Sequence, residues 1–206
     1  MGYFSVMTIT KTNIKWPNVP DVYNWLSLDH RGNWLIKREK IHHQGLIDFI
    51  STHYTEDSLG RWFFQNGPQR VFVTLGYTPY VLSIQSDGTT THFKTQTNKV
   101  IVSFDQLWID NDGRMLASWG RHIGLISDQD LPILAEQLVH RKKPNDPIDV
   151  NDLEIVLKSP SPKGDTPFIG LINQKRYDVT FIREYDVRHT FHFNPNPTPP
   201  DGSTEC

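Results

Sequence analysis

Leu28-Asp29-His30-Arg31-Gly32-Asn33-Trp34-Leu35 aligns with Ile109-Asp110-Asn111-Asp112-Gly113-Arg114-Met115-Leu116, 81 residues further on. Each copy reads as a strand, a glycine-containing turn and a second strand. Each is followed by an amphipathic stretch with helical spacing. This pairing decides the expected fold: α+β, with two repeated small antiparallel-sheet-plus-helix motifs and additional C-terminal β-strands.

Working outward, residues 25–29 alternate in the manner of a half-buried strand, and Trp34-Leu35-Ile36 returns. Over residues 43–54, Leu46, Ile47, Ile50 and Tyr54 form an apolar stripe that Phe49 widens, which predicts a helix. A hairpin follows, with Trp62-Phe63-Phe64 and residues 70–75 joined through Asn66-Gly67-Pro68. Residues 80–84, 90–95 and 99–104 read as strands, with Asp87-Gly88 turning between the first two. The second copy leads to a helix near Ser127-Asp128-Gln129-Asp130. Its stripe is Leu131, Leu134, Ala135 and Leu138, and Asp130 is its expected cap because Pro132 fits only the first turn.

Arg141-Lys142-Lys143-Pro144-Asn145-Asp146-Pro147 is basic and proline-bearing, and reads as a boundary. Beyond it, residues 153–157, 168–172, 177–182 and 187–193 read as strands, and the proline-rich end as disordered. The expected organisation is a lead-in at 1–20, a first motif at 21–104 and a second at 105–146. A C-terminal β segment at 147–193 and a tail at 194–206 complete it.

Composition narrows the function classes. The chain has 206 residues, a net charge of −2 and 12% aromatic residues, so it can build a core but is no generally basic nucleic-acid binder. Its one cysteine, Cys206, allows no intrachain disulfide and fits a reducing compartment. No stretch has the length of a signal-peptide core or a membrane span, so the expectation is a soluble, cytoplasmic protein.

Residues 24–140 resemble an uncharacterised bacterial family, number 1285 among the domains of unknown function. Three stretches carry the resemblance. The first is Arg31-Gly32-Asn33-Trp34-Leu35-Ile36 with the helix after it. The second is Gly60-Arg61-Trp62-Phe63-Phe64 leading to Thr78-Pro79-Tyr80-Val81, and the third is Thr91-His92-Phe93-Lys94-Thr95 with residues 100–109. It implies an α+β chain of repeated strand-and-helix motifs, a cleft between two halves, and a role in ligand sensing or signalling. The segment after Lys143 extends beyond that family's usual reach.

Chemistry-bearing patterns are few. His42-His43 and His189 with His192 lack ligand spacing, so no metal is expected, and no cofactor or phosphate-loop motif is present. Asp29 and Asp110 precede turns, where such residues ordinarily accept backbone hydrogen bonds. Gln65, Asn66, Gln69 and Arg70 flank the hairpin beside aromatic side chains, and Arg121 and His122 stand between Gly120 and Gly124. These six are the candidate ligand-binding residues, as amides, guanidinium and aromatic faces suit a small polar or anionic ligand. The expectation is a non-enzymatic ligand-binding or signalling module with a groove between its halves. The alternatives are an enzyme using Asp29, Asp110 or Arg121 with His122, and a protein–protein interaction module.

Overall fold

The computed structural model describes residues 17–86, 89–161 and 163–200. The expected Asp87-Gly88 turn and most of the N-terminal lead-in lie outside them. The class is α+β, dominated by strand.

A six-stranded sheet uses β1 (Asp21–Leu28), β2 (Trp34–Ile36), β3 (Glu39–Lys40), β4 (Tyr54–Glu56), β5 (Trp62–Asn66) and β6 (Gln69–Leu75), in the order β3-β2-β1-β6-β5-β4. Helix α1 (Gln44–Thr52) crosses from β3 to β4. Its Ile50, with Leu46 and Ile47, packs onto the sheet, as the stripe required. The helix stops before Tyr54, whose backbone pairs with Phe64 as the first residue of β4.

In β1 the pairing with β6 slips between Val22 and Leu26, and Asn24 takes a positive φ of 56°. This bulge turns Trp25 inward beside Leu26, so strict alternation fails and both side chains are buried in one cluster.

A ten-stranded sheet holds β7 (Tyr80–Ser86), β8 (Thr91–Thr95), β9 (Val100–Ile101), β10 (Gln106–Ile109), β11 (Met115–Trp119) and β12 (His122–Ile126). After a 3-10 turn and α2 (Leu131–Ala135) come β13 (Leu138–His140), β14 (Lys143–Pro147), α3 (Val150–Lys158), β15 (Asp165–Ile172), β16 (Lys175–Phe181) and α4 (Glu184–Thr190). The order is β14-β13-β15-β16-β10-β11-β12-β7-β8-β9. β10 lies between its hairpin partner β11 and the parallel β16, just as β1 lies between β2 and the parallel β6.

The Asp29 and Asp110 loops share one geometry. In each, the aspartate Oδ1 accepts from backbone N–H groups two and four residues on, at 2.8–2.9 Å. Gly32 and Gly113 sit at φ 79° and 77°, where a side chain would be strained. The same loop occurs a third time, at Asp57-Ser58-Leu59-Gly60-Arg61 between β4 and β5. That is a different place in the sheet, so the loop by itself does not establish a repeated motif.

Several element readings are corrected. Residues 153–157 form part of α3, and 187–193 fall in α4 and the turn after it. The segment read as a boundary is the β13–β14 hairpin. Asp130 does precede α2, but makes no side-chain cap; its carboxylate accepts from Ile84 N at 2.9 Å. The proline-rich end is docked at its start. Asn194 N donates to Gly60 O and Leu75 N to Pro195 O, each at 2.8 Å, and Pro197 is buried. Residues 201–206 lie outside the described region.

The two sheets share a core. Trp34, Phe64, Val73 and Leu75 from the first join Leu116, Ile123 and Leu125 from the second, with Val187 of α4. On the far face of the ten-stranded sheet, Leu107, Ile109, Ala117, Phe168 and Val179 form a second cluster under α2 and α3. The six-stranded sheet is too narrow to cover the larger one entirely. Its partner's β13–β16 end is left open.

Candidate ligand groove

At that open end, strand alternation sends Gln106, Asp178 and Thr180 to the face opposite the buried Leu107 and Val179. Gln106 Nε2 donates to Thr180 Oγ1 across the floor.

One wall comes from an irregularity in β15. Pairing runs from Asp165↔Thr180 directly to Ile169↔Asp178, so β15 carries two extra residues there. Thr166 secures the bulge by donating from Oγ1 to Val179 O at 2.6 Å and accepting from Phe168 N at 3.3 Å. The opposite wall is the β13–β14 hairpin, which brings His140, Arg141, Lys142, Lys143 and Asp146 to the rim. Together these enclose a groove of about 880 Å³. That lies within the range of small-molecule sites, roughly 300–1,000 Å³.

Two of the rim groups are already committed. Arg141 Nη1 donates to Asp178 Oδ1 at 2.6 Å, and His140 Nε2 lies 3.1 Å from Asp152 Oδ2. The groove is therefore pinned by the Arg141–Asp178 ion pair, while the His140 ring lies against Phe168 and reaches α3. The groove's remaining charges face solvent.

The six residues singled out in the sequence lie elsewhere, in two separate groups. Gln65 Nε2 donates to Gly67 O at 2.6 Å, and Asn66 Nδ2 to Gln69 Oε1 at 3.3 Å. Gln69 Nε2 donates to Pro17 O at 2.9 Å. Arg70 makes a two-point bond to Asp21, at 2.8 and 2.6 Å, and the hydrogen bonds to that carboxylate raise the guanidinium's pKa. Gln65 and Asn66 thus bond within the hairpin, Gln69 ties it to the segment ahead of β1, and Arg70 ties it to the first residue of β1.

Arg121 and His122 sit where the two sheets meet. Arg121 pairs with Glu56, while the His122 ring lies against Tyr80, Trp119 and Trp62 at centroid distances of 5.5, 5.9 and 6.4 Å. Burial lowers the His122 pKa, which nearby Glu56 opposes and Arg121 reinforces. Burial also pushes Tyr80 up to about 12. The crevice these residues line holds only about 10 Å³, room for no more than one water molecule. The structure thus does not bring the hairpin residues and the Arg121–His122 pair together, and the space between the sheets is filled by aromatic rings. Asp29 and Asp110 each use both oxygens within their own loops.

The groove residues were missed because Arg141-Lys142-Lys143 carries no ligand motif. Its significance comes from β15 and β16, which pack beside it from more than 20 residues away.

Residues 7–197 match the family model DUF2944, described as "Protein of unknown function (DUF2946)". The chain belongs to this family. Among solved structures it is similar to a DUF1285 family protein from Silicibacter pomeroyi DSS-3, at 10% identity and a TM-score of 0.48, covering 78% of this chain and 81% of that one. A second DUF1285 family protein, from Shewanella baltica OS155, is similar at 10% identity and a TM-score of 0.41, covering 54% of this chain and 90% of that one. The chain resembles the DUF1285 family. No curated protein matches the chain. No helix among the described residues is long and apolar enough to cross a membrane.

Proposed function

We propose that this member of the family is a non-enzymatic module that binds a small polar ligand in the groove between the β13–β14 hairpin and the β15 bulge. The observation that carries this is the groove itself. A hollow of about 880 Å³ is bordered by a bulge and by the Arg141–Asp178 ion pair. A signalling role would follow if ligand binding altered the exposed hairpin. The single cysteine supports a cytoplasmic setting.

The test is an amide-resolved NMR screen of the full chain against anionic, cationic and zwitterionic metabolites. Chemical-shift changes confined to residues 140–146, 165–167 and 178–180 are expected. A specific ligand that perturbs only Arg121, His122 and their neighbours would overturn the assignment in favour of the crevice.

A further inference from the structure

The charges around the groove divide into spent and unspent. Arg141 and His140 are engaged with carboxylates at 2.6 and 3.1 Å. Lys142, Lys143, Asp146 and Asp165 also line the groove, are exposed, and have no ion-pair partner among the described residues. Two free ammonium groups and two free carboxylates therefore border one hollow.

This mixture selects against simple ions. A small anion attracted by Lys142 and Lys143 also meets Asp146 and Asp165, and a small cation meets the reverse. A molecule with separate positive and negative ends can meet both signs of charge.

Spacing limits its length. Lys143 and Asp146 are three residues apart, so their backbones stand no more than about 10 Å apart. In a regular strand they would point to opposite faces. Here β14 is strongly bulged, passing from His140↔Lys143 to Val139↔Pro147, and both residues border the same hollow. Pro144 and Pro147 also lack N–H donors, which disfavours adding a ligand to β14 as another strand. Recognition would then act through the ligand's ends.

We propose, resting on the groove reading above, that the groove takes a small zwitterion of di- or tripeptide size with free termini. Its carboxylate lies toward Lys142 and Lys143, and its ammonium toward Asp146 and Asp165.

The test titrates the full chain with trialanine, N-acetyl-trialanine, trialanine amide and inorganic phosphate, followed by amide chemical shifts. Trialanine should perturb the groove amides, and capping either end should weaken it at least tenfold. Lys142→Gln with Lys143→Gln, and separately Asp146→Asn with Asp165→Asn, should each weaken trialanine by a similar factor. All four side chains are exposed, so unchanged spectra away from the groove will report an intact fold. N-acetyl-trialanine or phosphate binding at the groove as tightly as trialanine would overturn the zwitterion while leaving the groove reading standing. Silence of the groove amides to all four probes would overturn the zwitterion. Silence across the wider metabolite screen as well would remove the groove reading too.

Discussion

The phenolic oxygen of Tyr77 donates to Asp110 Oδ2 at 2.9 Å, and the carboxylate it meets is wholly buried. Arg114 Nε donates to the same oxygen at 2.9 Å, while its guanidinium lies over the Tyr77 ring at 4.5 Å and reaches Glu184 at 2.8 Å. Burial, then the charge of Asp110, drive the Tyr77 pKa far upward, so this phenol stays a donor at any ordinary pH. One aspartate thus closes its own loop and ties the segment between the sheets to α4.

Asp29 makes the same loop with no tyrosine or arginine side chain bonded to its carboxylate, and is partly exposed. Asp110→Ala should therefore cost about 2–3 kcal/mol, because the Tyr77 hydroxyl and the loop N–H groups lose a buried acceptor while Arg114 keeps Asp112 and Glu184. Asp29→Ala should cost about 1 kcal/mol, as for a modest set of hydrogen bonds. Urea unfolding of both variants checks this, and equal losses would contradict it.

Gly60 offers a sharper backbone test. Its φ is +70°, and a Cβ there would fall 2.2 Å from His192 O, which is backbone. Gly67 has a similar φ of +58° but open space around it. Gly60→Ala should lower stability by several times more than Gly67→Ala, whose cost is the conformational strain of about 1 kcal/mol. Thermal unfolding of the two side by side reads the difference.

His122 should make stability acid-sensitive. Its folded pKa lies below the ordinary value near 6.5. The unfolded chain then binds more protons between those two values, so stability is full above about pH 6.5 and declines as pH falls towards the folded pKa. His122→Phe keeps a ring among Tyr80, Trp62 and Trp119 without the titration. Between pH 7 and 5 the variant should lose less stability than the parent, measured by denaturant midpoints. Asp57 adds a separate acid loss at lower pH. Burial raises its pKa, but the bonds from Arg61 and Leu59 outweigh that and hold it below 3.8. Its stabilising contribution is present above that pH and fades as pH falls through the folded value.

Truncation can locate where the C-terminal end stops mattering. Removing residues 198–206 should leave the midpoint nearly unchanged. Removing residues 194–206 deletes the bonds to Gly60 O and Leu75 N and the buried Pro197. With net hydrogen bonds worth about 1 kcal/mol each, a loss of roughly 2 kcal/mol or more is expected. Identical midpoints for both truncations would refute the docking.

What could be read from residues was what depends on near neighbours. The α1 stripe of Leu46, Ile47 and Ile50, the Asn66-Gly67 hairpin and the Asp29 and Asp110 turns are all set within a dozen residues. Helix α3 carried an overlooked local signal. Asp149 and Asp152 cap one another reciprocally at 2.9 Å, ahead of Leu153, Val156 and Leu157 at helical spacing. The β-branched Ile155 and Val156 masked it. The third aspartate loop, at Asp57, was likewise written in the sequence.

Which side chains would border a hollow was a different kind of question. Lys143 gains its setting from Asp165 and Thr180, and His122 loses its openness to Trp62 and Tyr80, through pairings and packing that span tens of residues. The order of residues determined the α+β class and its turns, because backbone preference and side-chain period act over short distances. Only tertiary packing decided that the junction of the sheets would be solid and the C-terminal sheet end concave. Burial there is shared among strands that sequence proximity does not join.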